Sequence, residues 1–268
     1  MDLLLLRLLV SFLIGGTWVS MITLATIRYG ARLGGLLAGF PSTVAFSLAF
    51  IGWTQSTQVA VEATAALPLA LSFTAAFPLV YAYLARTVRF EFSLLGALAF
   101  WGASSLVLSE VVLRVGVDFL VSLGGFYIIS AAAYYLLAER RQRTATSHGV
   151  RPTVFQWAWR FVLAGGIIVC AVLFSETLGP LVGGIFSSFP AIITSTIYIV
   201  SRVEGVEASR GVAMPVMVAT VFTIVPYVIV VRYSFPSLGI LLGTMAGYAV
   251  AIPLSLVAFY IVGRMAAK

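Results

Sequence analysis

The sequence predicts an all-α fold, a polytopic transmembrane helix bundle of about nine spans in which two four-helix units of opposite orientation flank a linker helix. Three observations carry this reading: composition, apolar runs of membrane length, and prolines that recur at matching places in the two halves. Of 268 residues, 61% are hydrophobic and 9% charged, with mean hydropathy +1.09, against about 45–50% and about 25% in soluble domains. Apolar runs of about 20 residues recur from end to end, the length that crosses a hydrocarbon core of roughly 30 Å.

The spans read as Leu3–Ile27, Leu33–Trp53, Val59–Ala85, Phe92–Leu113, Val117–Ala138, Val154–Ser175, Leu178–Ser201, Val206–Val231 and Phe235–Val262. The first is read as a helix that stays, because Arg7 interrupts it and no small-residue cleavage site follows. Between the fourth and fifth only Arg114, Val115 and Gly116 intervene, so these two form a tight hairpin. Units then fall at 1–115 (spans one to four), 116–153 (linker span and loop) and 154–268 (spans six to nine).

Alternate connections hold very different numbers of cations. One set carries Arg28, Arg32, Arg86, Arg89, Arg140, Arg141, Arg143, Arg151, Arg202, Arg210, Arg264 and Lys268, whereas the other, including the N-terminus, has Arg7, Arg114 and Arg232. Because Lys and Arg stay cytoplasmic, this places the protein in the cytoplasmic membrane with its N-terminus outside and C-terminus inside. The net charge of +7 is spread as topology signals, so nucleic acid is not an expected partner; the lipid bilayer is. His148, the one histidine, lies in the largest cytoplasmic loop, and Cys170, the one cysteine, in an apolar run.

The halves echo each other. Leu33-Gly34-Gly35-Leu36-Leu37-Ala38-Gly39 resembles Leu178-Gly179-Pro180-Leu181-Val182-Gly183-Gly184, and Phe40-Pro41 resembles Phe189-Pro190. Pro68 and Pro78 in the third span match Pro215 and Pro226 in the eighth. A proline inside a helix costs about 3 kcal/mol in water, so paired placements argue for duplication. With a linker span between, the two units face opposite ways, the architecture of many secondary transporters; the plainer alternative is that duplication only enlarges the bundle.

An interrupted helix in lipid must find partners in protein or in a wet cavity. The second and seventh spans carry that interruption, which makes Gly39, Pro41, Ser42, Thr43 and Ser47, with Ser188, Pro190, Thr194, Ser195 and Thr196, the candidate substrate-binding residues. The same hydroxyls can instead do no more than satisfy freed carbonyls. Glu62 and Glu207 lie near the two membrane surfaces at matching places and are candidate gating residues, or solvated helix-start carboxylates. The small-residue pairs Gly35/Gly39, Gly179/Gly183, Gly239/Gly243 and Gly243/Gly247 allow close helix packing, within the chain or across a homodimer.

No metal-ligand cluster, HExxH, GxSxG or Walker-type motif is present, so neither an enzyme nor a bound metal or cofactor is expected. Without buried carboxylate pairs, a substrate is held by hydroxyls, backbone and aromatic faces. The expected function is a small secondary transporter or facilitator for a small solute or ion; the rivals are a non-transporting scaffold or assembly protein, and a channel.

Gly39-Phe40-Pro41-Ser42, preceded by Leu33-Gly34-Gly35-Leu36, resembles the second helix of the GlpM-like group of small bacterial membrane proteins. The likeness covers about 30 residues, with Phe189-Pro190-Ala191 a looser echo. It implies a chain that fuses two such units and implies no substrate.

Overall fold

The structure is a computed structural model that describes residues 3–38, 41–137 and 153–266. Gly39, the arginine cluster at 140–143 and His148 lie outside the described residues. The chain is helical throughout the rest: α1 (Leu3–Ala38), α2 (Ser42–Thr54), α3 (Thr57–Ala63), α4 (Leu67–Leu84), α5 (Phe90–Val115), α6 (Phe119–Leu137), α7 (Val154–Thr177), α8 (Pro180–Ser187), α9 (Ala191–Val203), α10 (Val206–Arg210), α11 (Ala213–Ala219), a π-helical turn (Thr220–Ile224) and α12 (Val225–Ala266). Among the described residues there is no strand.

The bundle is apolar on its surface as well as in its core, and the core also carries hydroxyls. Leu106, Ile128 and Leu241 are 71%, 72% and 74% exposed, while the buried polar side chains other than tyrosine are all serine or threonine. Apolar surface outside and hydroxyls inside suit lipid as solvent. Seven helical stretches among the described residues are long and apolar enough to cross a bilayer, and α2 is a shorter apolar helix. The chain is a multi-pass membrane protein.

Several span boundaries differ from those read in the sequence, each for a physical reason. The first helix does not stop at Ile27; α1 runs to Ala38, since Arg28-Tyr29-Gly30-Ala31-Arg32 contains no proline and its polar groups do not break an α-helix. The expected single spans Leu33–Trp53 and Leu178–Ser201 are each interrupted, at Pro41 and at Ser188–Pro190. Val59–Ala85 divides into α3 and α4, which places Pro68 in the first turn of α4, where its missing N–H costs nothing. Pro215 likewise falls in the first turn of α11. The last two spans part at Gly239 instead of at Arg232–Ser234, because Gly239 takes φ +73, a left-handed torsion only glycine adopts without penalty. Gly239 is thus a turn residue and not the small-residue contact expected of it.

Side-chain bonds gather the helix ends into two groups. At one end Arg7 donates to the Thr54 carbonyl at 2.8 Å, and Arg232 to the Val61 carbonyl at 3.1 Å and the Thr64 hydroxyl at 2.9 Å. Arg232 also stacks 4.7 Å from the Phe119 ring. At the other end Arg202 pairs with Glu91 at 3.5 Å, and Tyr81 bonds the Ser209 hydroxyl at 2.6 Å. The helices α2 and α9 therefore run from the middle of the bundle to opposite ends.

Glycine sets the closest approaches. On α1 and α7 the backbones cross where Gly16 meets the Phe161 carbonyl and Gly165 meets the Phe12 carbonyl, and Phe12 and Phe161 pack edge to face at 5.3 Å. Gly184 of α8 lies against the Ala63 carbonyl so tightly that a Cβ would overlap its oxygen. In α12, Gly243 faces Phe235 and Gly247 faces Tyr227, so this pair packs within one folded helix.

Candidate functional site

The helix interruptions converge. Pro41 and Pro190 occupy the N-cap of 13-residue helices with closely similar torsions, φ −73 and ψ 41 against φ −79 and ψ 48. Neither proline carries a side-chain capping bond, as proline has no acceptor to offer. The ladder of α2 begins with Ala45 N–H to the Pro41 carbonyl at 2.7 Å, and that of α9 with Thr194 N–H to the Pro190 carbonyl at 2.8 Å. The amides of Ser42, Thr43 and Val44, and of Ile192 and Ile193, precede those ladders and have no carbonyl one turn back.

A cavity lies where these two helix starts meet. Its walls include Pro41, Ser42 and Thr43 from the first interruption and Ser187, Ser188 and Pro190 from the second. Leu71 and Thr74 of α4, with Val216, Thr220 and Ile224 around the π-helical turn, close it. The space open to the centres of water-sized molecules is about 50 Å³, room for about three to five waters.

Thr74 ties the second interruption in place. Its hydroxyl donates to the Ser188 carbonyl at 2.6 Å and accepts from the Trp101 indole N–H at 3.1 Å. Trp101 is buried and lies edge-on to Phe189 at 4.9 Å, so the unwound segment is held from two sides. Pro78 sits four residues after Thr74 inside α4 and removes the N–H that would bond the Thr74 carbonyl. The π-helical turn has the same origin: just before Pro226, the Val225 N–H reaches back five residues to the Thr220 carbonyl, the kind of local widening that re-satisfies backbone groups freed by proline.

The carbonyl end of α8, by contrast, is capped from within. Ser187 donates to the Gly184 carbonyl and Ser188 to the Ile185 carbonyl, both at 2.7 Å. Ser42 differs from both: its side chain is completely buried against the cavity and its hydroxyl has no hydrogen-bond partner among the described residues.

Of the residues singled out in the sequence, Pro41, Ser42, Thr43, Ser188 and Pro190 line this one cavity. Ser47, Thr194, Ser195 and Thr196 do not. Ser47 is buried further along α2, Thr194 lies one turn into α9, Ser195 donates to the Ile192 carbonyl at 2.9 Å, and Thr196 accepts from Arg160 Nη2 at 3.5 Å. Glu62 and Glu207 are exposed and away from the cavity: Glu62 accepts from Gln58 at 3.3 Å, and Glu207 pairs with Arg210 at 2.8 Å. Ser187, which with Ser188 precedes Pro190 in the sequence, also lines the cavity, whereas Thr74 and Thr220 were not singled out; the prolines at 78 and 226 were the available signal.

The fold and site define a multi-pass membrane protein with a small cavity, mostly apolar but carrying the hydroxyls of Ser42, Thr43, Thr74, Ser187, Ser188 and Thr220, at the meeting of two broken helices. Comparison with known protein families, with curated proteins and with solved structures finds no match.

Proposed function

We propose that this chain is a small secondary transporter or facilitator of the cytoplasmic membrane, with its N-terminus outside, and that the cavity between Pro41 and Pro190 is its substrate site. The observation that carries the reading is the pairing of the interruptions. Two 13-residue helices start at one cavity and end at opposite ends of the bundle. A site near the midplane formed by discontinuous helices of two oppositely oriented repeats is the arrangement from which alternating access follows.

Other features support a duplication of 1–115 by 154–268. Each half has a 13-residue helix followed by a short one, α3 (7 residues) or α10 (5 residues), and then a helix with proline in its first turn. Two pairs of helices at equivalent places pack on each other, α1 on α7 and α4 on α11, as helices beside a two-fold axis would. A scaffold has no need of a hydroxyl-bearing void where two broken helices meet. In this reading Glu62 and Glu207 sit at the two mouths.

The test is solute flux. Purified protein in liposomes is expected to move a restricted set of small solutes, and Pro41→Ala combined with Pro190→Ala, which lets both helices straighten, is expected to cut that flux by tenfold or more without changing the protein's elution as a folded species. Absence of flux across ions, sugars, amino acids and polyols would remove the proposal.

A further inference from the structure

The polarity of the cavity specifies the charge of what it holds. Resting on the reading of this cavity as a substrate site, we propose that the ligand is a compact anion, an inorganic monovalent ion or the carboxylate of a small organic acid, bound between the N-termini of α2 and α9 with Ser42 as a donor.

Both helix starts expose first-turn amides that have no intrahelical acceptor and no capping side chain. Each helix N-terminus is equivalent to about half a positive charge, so the two together outweigh the about half negative charge of the one α8 C-terminus. The helix of opposite sense at the cavity, α8, ends in carbonyls that Ser187, Ser188 and Thr74 already engage. Donors are therefore left open at the starts of α2 and α9, whereas the carbonyls at the end of α8 are filled. A cation would meet two positive dipole ends, with the Thr74 carbonyl freed by Pro78 as an open acceptor; an anion would be drawn to both helix starts.

Ser42 is the independent indication. A hydroxyl with 0% exposure and no partner forfeits a hydrogen bond, about 1–3 kcal/mol when nothing replaces it. It stands in the first position of α2, on the cavity wall, where a ligand held by the α2 amides would accept a hydrogen bond from it. Among the described residues lining the cavity none is acidic, so no fixed negative charge competes for the site. The space of about 50 Å³ open to the centres of water-sized molecules matches a small ion or a carboxylate head.

Binding and movement are measured separately. The full chain in detergent is titrated with sodium chloride, nitrate, formate and acetate against sodium gluconate at constant ionic strength, with thermal unfolding as readout, since a ligand of the folded state raises its melting temperature. A compact anion is expected to stabilise saturably, with about tenfold weaker affinity in Ser42→Ala and unchanged affinity in Thr196→Ala, whose side chain lies outside the cavity. Halide or nitrate responding without formate or acetate assigns an inorganic ion; the reverse assigns a carboxylate. Wild-type protein alone decides the class: an identical response to every sodium salt, with stabilisation and flux of a neutral solute or a cation, overturns the anion and leaves transport standing. Saturable anion binding without flux of that anion upholds the site and removes transport.

Discussion

Thr74→Val isolates the tie between α4 and the unwound segment at Ser188. Valine keeps the branched shape of threonine but removes the hydroxyl that donates to the Ser188 carbonyl and accepts from the Trp101 indole. Each bond contributes about 0.5–1.5 kcal/mol net in proteins and about 0.6 kcal/mol on average within membranes. Thr74 is 4% exposed and Trp101 is also 4% exposed, so the abandoned N–H and carbonyl find little water, which moves the cost toward the upper end. The variant is therefore expected to lose about 1–3 kcal/mol in reversible unfolding by SDS in mixed micelles. Ser72→Ala is the reference: that side chain is buried on the same helix, but its hydroxyl bonds only the Leu69 carbonyl of its own turn at 2.6 Å, and its loss should cost less than about 0.5 kcal/mol. If the two variants unfold at the same SDS fraction, Thr74 does not hold the interruption and the account of the site's rigidity is wrong.

Gly184→Ala places a methyl on the Ala63 carbonyl oxygen, a backbone atom that cannot turn aside, and should destabilise by about 1–3 kcal/mol in the same assay; Gly166→Ala, with nothing within 4 Å of its Cβ, should be neutral or slightly stabilising. Orientation is read by single-cysteine labelling in a Cys170→Ser background: a thiol at Gln58, exposed in the first turn of α3, should react with an impermeant reagent only from outside, and one at Gln142 only from the cytoplasm. Reaction of both from the same face would refute the threading.

Much of the architecture was written in composition and proline placement. The apolar runs specified a helical membrane protein, and the paired Phe-Pro dipeptides located both interruptions that meet at the cavity. Helix ends were less legible, because hydropathy marks the stretch that lies in lipid and not the residue at which the helical ladder stops. Arg232 illustrates this: read as the end of a span, it stays helical because two oxygens and an aromatic ring receive its guanidinium. Thr74 escaped notice for another reason. Its importance depends on Trp101 and Ser188, which are 27 and 114 residues away, and no local pattern announces a contact of that range. Conversely, Thr194, Ser195 and Thr196 stood beside a proline in the sequence, yet helical geometry turns them away from the cavity within one turn.

The shortness of α8 and α9 bears on how the protein is made. With 8 and 13 residues, neither spans a bilayer alone, and the unwound stretch between them would present bare peptide groups to lipid at several kcal/mol each. Synthesis runs from the N-terminus, so α4 and α5 are already inserted when Ser188 leaves the ribosome, and the hydroxyl and ring that will shelter the stretch are waiting for it. The order of the two halves along the chain thus lets the earlier one serve as a template on which the later one can be laid into the membrane.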